Sequence, residues 1–297
     1  MNKFETYKDR CMLDELRMVG HWRLSRAEPN LLRPHVHTNA FEVCYIAEGD
    51  AEWWIEKNHY CVRRGQFFVT KPYDLHGGKP LSPSPRELYW FQISFPDGGG
   101  VSGLSAPEAS EIREVLQSRE SPIVDAGFDP LPAFERLLRS LREPVILRDA
   151  QIRTSLDELL IGIASSCVAS RPIVVHAPIS DEVARALAWM EEHLDDEFDT
   201  IELAAASGLT HRTLYRLFRK QLGVSPAVRL QRCRIARARQ MLTTTDVSIT
   251  GVALASGFAT GQYFSKVFRD ATGVTPRAYR KISREPDPGY DTPAYLD

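Results

Sequence analysis

ELAAASGLTHRTLYRLFRKQLGVSPAVRLQR at 202–232 returns at 251–281 as GVALASGFATGQYFSKVFRDATGVTPRAYRK. Leu203-Ala204 answers to Val252-Ala253 and Ser207-Gly208-Leu209 to Ser256-Gly257-Phe258. Leu214, Phe218, Gly223-Val224 and Pro226 answer in turn to Phe264, Phe268, Gly273-Val274 and Pro276. Each copy reads as a short helix, a glycine turn and a second amphipathic helix. The glycine permits left-handed backbone or close approach, and the small residues before it let two helices cross closely. Ser225-Pro226 and Thr275-Pro276 are N-cap plus first-turn pairs that open the following helix. The first such helix, about 226–243, carries Arg229, Arg232, Arg234, Arg237 and Arg239 and would join the two units.

In the first copy His211, Arg212, Tyr215, Arg216 and Arg219 face away from the Leu214/Leu217/Phe218 stripe. In the second the corresponding positions are Thr260, Gly261, Gln262, Ser265, Lys266 and Arg269. Arg can pair with guanine and Gln with adenine, while Ser and Lys reach base edges or phosphates. Charge agrees: residues 200–282 hold 14 Lys/Arg against three acids, net +11, so the rest of the chain carries −13 of the total −2. A basic segment joined to an acidic one points to a polyanion met only by the C-terminal part.

Residues 180–282 resemble the DNA-binding domain of the AraC/XylS regulators, down to the closing GVTPRAYRK. The resemblance implies double-stranded DNA as partner, with two helix-turn-helix units in successive major-groove segments. It places base reading on Arg212, Tyr215 and Arg216 in the first unit, and on Gly261, Gln262, Ser265 and Lys266 in the second. Arg219 and Arg269 join them on the same faces. Gly261 has no side chain, so the second unit is expected to be the weaker reader. Thr200 departs from the family, which has an aliphatic residue there. RNA polymerase is a further partner of such a regulator.

From about 20 to 95 the chain reads as short strands divided by turns, among them FEVCYIAEG, AEWWIEKN, QFFVT and ELYWFQISF. A glycine-rich break at 96–105 ends this region. Helical spacing follows at 107–119, 130–142 and 147–169, where Ile152, Leu156, Leu159, Leu160, Ile163 and Cys167 form one apolar stripe. That last helix is a candidate for homodimerisation. The fold expected is α+β: an antiparallel β-barrel with a helical extension (1–170), a linker (171–180), an all-α domain with two helix-turn-helix units (181–282) and a disordered tail (283–297).

PHVHTNAFEVCYIAEG (34–49) carries His35, His37 and Glu42, and GQFFVTKPYDLHGG (65–78) supplies His76. On a strand, HxH places both imidazoles on one face. Three histidines and a carboxylate are a ligand set for zinc, iron, manganese or nickel. The two stretches resemble the two motifs of the cupin barrel, with Lys71 and Tyr73 standing where a proline and a glycine are usual. Phe41, Tyr45, Trp53, Tyr73 and Trp90 are the candidate effector-lining aromatics, suited to a sugar whose hydroxyls a metal would coordinate. Strand alternation sends Trp53 and Trp54 to opposite faces.

The histidine set by itself also fits a metal-dependent cupin enzyme (a dioxygenase or sugar isomerase) or a metal-sensing regulator. The C-terminal duplication fits only a regulator, so a non-enzymatic, ligand-responsive DNA-binding protein is expected. Its 297 residues call for two domains, and 43% hydrophobic with 26% charged residues are globular values. No apolar run approaches the roughly 20 residues that span a bilayer, and MNKFETYKDRCMLDEL has no signal-peptide core. The five cysteines (Cys11, Cys44, Cys61, Cys167, Cys233) lack CxxC spacing, which points to reduced thiols in the cytoplasm.

Overall fold

Strand alternation builds the N-terminal unit around two faces of one sheet. The computed structural model describes residues 3–8, 13–24, 32–79, 87–169, 180–194, 200–222 and 224–285. Its strands are β1 (Lys3–Lys8), β2 (Leu16–Arg23), β3 (Phe41–Glu48), β4 (Asp50–Ile55), β5 (Asn58–Arg63), β6 (Gln66–Thr70), β7 (His76–Gly78), β8 (Glu87–Ile93) and β9 (Ile123–Asp125). They form a sheet in the order β1-β2-β8-β3-β6-β9 and a smaller one in the order β5-β4-β7, antiparallel throughout. β1 and the start of β2 precede the expected β region, and β9 follows it; β1 and the three-residue β9 are the edge strands of the large sheet, where periodicity is a weak signal.

In β3, Phe41, Val43 and Tyr45 pack with α1 (Ala106–Ser118), α2 (Leu131–Arg142) and α3 (Arg148–Ala169). Cys44 and Ile46 turn the other way and meet Ala51, Trp53, Ile55 and Val62 of the small sheet, together with Phe68, Leu88 and Trp90. The predicted stripe of α3 is wholly buried against the first of these cores. Gly20 sits opposite Trp90, whose indole lies where a side chain at residue 20 would begin; a Cβ there would stand 2.0 Å from Trp90 Cζ2.

The C-terminal unit contains α4 (Asp181–Glu192), α5 (Thr200–Ala206), α6 (His211–Leu222), α7 (Pro226–Thr244), α8 (Ile249–Ala255), α9 (Gly261–Thr272) and α10 (Pro276–Arg284). Helix α10 runs two residues beyond the expected end of this domain. The expected linker, apart from Ser180, and the expected tail from 286 onward lie outside the described residues. Among the described residues no helix is long and apolar enough to cross a membrane.

Candidate metal centre and DNA-binding helices

The segment carrying His35 and His37 is extended coil with an isolated bridge, not the regular strand expected from HxH. His35 exchanges both backbone hydrogen bonds with His76 (3.0 and 3.1 Å), and Asn39 turns the chain into β3 with φ 55°. Glu42 comes from the inward face of β3, and His76 opens β7. All four residues are buried, and one ligand atom from each lies within 4.8 Å of the others. The rings of His35 and His76 have centroids 4.1 Å apart.

The outer shell fixes the tautomers. His35 Nδ1 donates to the Arg33 carbonyl at 2.7 Å and His76 Nδ1 to the Asp74 carbonyl at 2.8 Å, so each ring, when neutral, turns an Nε2 lone pair to the cluster. The turn that carries His76 is held by Asp74, whose carboxylate accepts from the Lys71 backbone N–H at 3.0 Å. His76 Nε2 and His37 Nε2 lie 3.1 and 3.4 Å from the two oxygens of Glu42. Burial pushes the Glu42 carboxyl up, but the charge and hydrogen bond of His37, followed by those of His76, outweigh it and hold the group well below its usual range. Imidazole lone pairs facing a carboxylate in a buried site fit a divalent cation, so the donor set and its outer shell suit an ion with bonds of about 2.0–2.2 Å.

The candidate effector aromatics separate. Trp53 and Trp90 are buried and face the space between the sheets, while Trp54 points outward and donates to the Gly78 carbonyl at 3.1 Å. Tyr73 stands at the rim: its backbone N–H donates to the His37 carbonyl at 2.9 Å and its hydroxyl to Asn39 Oδ1. Its φ of 65° accounts for the glycine usual at that motif position. Phe41 and Tyr45 do not line the site. They project from β3 on the face opposite Glu42 and pack in the core beneath the helices, because odd and even strand positions diverge. Sequence reading also missed Thr70, paired in register with Glu42, and Asp74; a lone threonine or aspartate beside a motif carries no pattern.

In the C-terminal unit the duplication extends to individual hydrogen bonds. Leu209 N–H donates to Ala204 and Phe258 N–H to Ala253, at 2.8 and 3.0 Å, across Gly208 (φ 72°) and Gly257 (φ 76°). Thr210 and Thr260 cap α6 and α9, each accepting from the third residue on at 3.2 Å. Ser225 and Thr275 repeat the same cap on α7 and α10. Leu214 and Phe218 bury one side of α6, and Phe264, Val267 and Phe268 bury one side of α9. Arg212, Arg216 and Arg219 are exposed on α6, with Tyr215 half-buried beside the His211 ring at 4.6 Å. Gln262, Lys266 and Arg269 are exposed on α9, and Ser265 is half-buried. Tyr263, absent from the sequence-derived set, is 57% exposed next to Gln262.

Residues 203–282 match a helix-turn-helix domain family, and residues 24–97 match the AraC-like ligand binding domain. The uncharacterised HTH-type transcriptional regulator YfiF of Bacillus subtilis is 25% identical over 282 residues, covering 90% of this chain and 84% of YfiF. The HTH-type transcriptional activator RhaS of Klebsiella pneumoniae is 38% identical over 95 residues, 32% of this chain, and the match spans about a third (34%) of RhaS. ToxT of Vibrio cholerae shares the fold, with a TM-score of 0.51 at 14% identity over 95% of this chain and 99% of that one. A ligand-binding segment thus precedes a DNA-binding segment whose two halves repeat down to their caps, and by this order and these relatives the chain belongs to the AraC/XylS family of ligand-responsive, DNA-binding transcription regulators.

Proposed function

We propose that this regulator senses its effector at a divalent metal centre held by His35, His37, Glu42 and His76, and answers by changing how α6 and α9 engage an operator. The buried four-residue cluster with its preset imidazole tautomers carries the reading. A bound ion would supply an electrophilic position for an oxygen of the effector. The protein acts without catalysis, in the cytoplasm, with RNA polymerase as the downstream partner that family membership implies. Of the aromatics expected to line the effector, Trp53 and Trp90 face the interior and are placed to do so, whereas Phe41 and Tyr45 are not.

Effector binding would act as a population shift between arrangements of α3 and the segment that follows it. Thr154, Glu158, Ile161, Ser165 and Val168 form an exposed stripe on α3, with Ile161 50% and Val168 53% exposed. Their spacing of four, three, four and three residues supports a homodimer through this helix. Sedimentation of the full chain and of Ile161→Glu tests that part: a dimer that the substitution splits supports it, and a monomeric wild type rejects it. For the regulator as a whole, selection of binding sites from random DNA with the zinc-loaded full chain should enrich one motif, whereas no enrichment would reject sequence-specific reading.

A further inference from the structure

Thr70 is fully buried, and its hydroxyl has no hydrogen-bond partner. It stands directly opposite Glu42 in the β3–β6 pairing, on the inward face that also carries Phe68. Directly opposed side chains on one sheet face are neighbours, with Cβ atoms about 4.5–5.5 Å apart. The orphan hydroxyl therefore borders the proposed metal centre, and a buried hydroxyl without a partner calls for one. Trp53 Nε1 is a second buried donor without a partner facing the same interior.

Charge sharpens the identity of the missing group. Three neutral imidazoles and one carboxylate leave a divalent ion with one positive charge uncompensated, inside a site whose four ligands are 1–4% exposed. Buried charge requires a partner. Asp74, two residues before the ligand His76, accepts from the Lys71 backbone N–H, and its carboxylate feels the charges of Arg119 and Lys71 as well as His76. Arg119 is the only buried Lys or Arg among the described residues, and its guanidinium donates to the Leu116 and Val69 carbonyls. The rest of the interior is apolar (Ile46, Ile55, Phe68, Leu88, Trp53 and Trp90) apart from the neutral carboxamide of Gln92, which stands opposite Glu42 in the β3–β8 pairing and brings no charge.

We infer that the effector is a small organic carboxylate, one oxygen taken by the ion and the other accepting a hydrogen bond from the Thr70 hydroxyl. Its organic part lies against Phe68 and Trp53, where the indole N–H is available to a hydroxyl or keto oxygen. A neutral sugar would satisfy the donors and leave the charge. This inference rests on the metal centre proposed above.

The test uses the full chain loaded with Co²⁺, whose visible spectrum reports the atoms around the ion, titrated separately with acetate and with glucose. The expected result is stoichiometric Co²⁺ uptake, a saturable spectral change with acetate and none with glucose. Thr70→Val should take up Co²⁺ as wild type does but bind acetate at least about tenfold more weakly, and Thr70→Ser should restore binding. Unchanged wild-type spectra with acetate, a response to glucose alone, or wild-type acetate affinity in Thr70→Val overturns the inference while the metal reading stands. Failure of the wild type to take up Co²⁺ overturns both. Should Thr70→Val fail to fold, Thr70→Ser and the acetate–glucose contrast in wild type still decide.

Discussion

His76 Nε2 lies 3.1 Å from Glu42 Oε2, while the other nitrogen of the same ring lies 2.8 Å from the Asp74 carbonyl. A carbonyl only accepts, so the ring proton sits on Nδ1 and the contact with Glu42 joins two lone-pair bearers. Such a contact holds only with a cation between them, either a proton on His76 or a metal ion. His35 repeats the arrangement through the Arg33 carbonyl, and two rings preset in this way favour the metal.

Zinc should accordingly stabilise the folded chain. At free zinc a hundredfold above the dissociation constant the gain is about 2.7 kcal/mol, seen as a higher denaturation midpoint with zinc than with a chelator. Glu42→Gln and His76→Ala should remove the difference. A wild type whose midpoint ignores zinc would rule out the centre.

Gly20→Ala should cost about 1–3 kcal/mol through overpacking, because the new methyl would stand 2.0 Å from a Trp90 ring that is itself 1% exposed and has nowhere to move. Urea unfolding measures this, and Trp90→Phe in the same chain should recover part of the loss. A neutral Gly20→Ala would mean that the indole does not lie across β2.

The two turn glycines, alike in sequence, should respond unequally. Gly208→Ala meets no atom within 4 Å and carries only left-handed backbone strain, about 1–2 kcal/mol. Gly257→Ala adds a Cβ 2.1 Å from the Leu194 carbonyl oxygen and 2.5 Å from Arg234 Nε, so overpacking of about 1–3 kcal/mol comes on top. Thermal unfolding of the two variants should rank Gly257→Ala as the less stable; equal losses would contradict the packing around that turn.

On DNA, Arg216→Ala should weaken binding to a selected operator by about 1–3 kcal/mol and relax specificity at one base pair, as loss of a bidentate base contact does. Lys266→Ala should weaken binding more evenly across sequences. Competition assays against single-base operator variants separate the two, and an unchanged specificity profile for Arg216→Ala would reject its reading role. At Gly261 an added Cβ would approach only Thr250 Oγ1, at 3.7 Å, so that position has room for a side chain and lacks one.

The C-terminal unit was legible because it is written twice: two copies align their glycines, caps and buried phenylalanines, and the structure repeats them bond for bond. The convergence of His35, His37, Glu42 and His76 was legible through spacing, although His35 and His37 reach it from coil and not from a strand. The aromatic lining was only half legible. Strand parity separates Phe41 and Tyr45 from Glu42 on the same strand, but which parity faces inward depends on the second sheet and the three covering helices. Thr70 was invisible because its significance lies in its cross-strand neighbour, a register that no local pattern encodes.

The most direct test of the link between sensor and reader is the affinity of the full chain for its selected operator, measured by fluorescence anisotropy with the centre zinc-loaded and after chelation. Wild type should change affinity between the two states by about 5- to 150-fold, the usual range of allosteric coupling, while Glu42→Gln shows a single affinity in both. Identical wild-type affinities in the two states, with zinc uptake verified, would contradict metal-coupled regulation and leave the C-terminal unit as a reader that the centre does not govern.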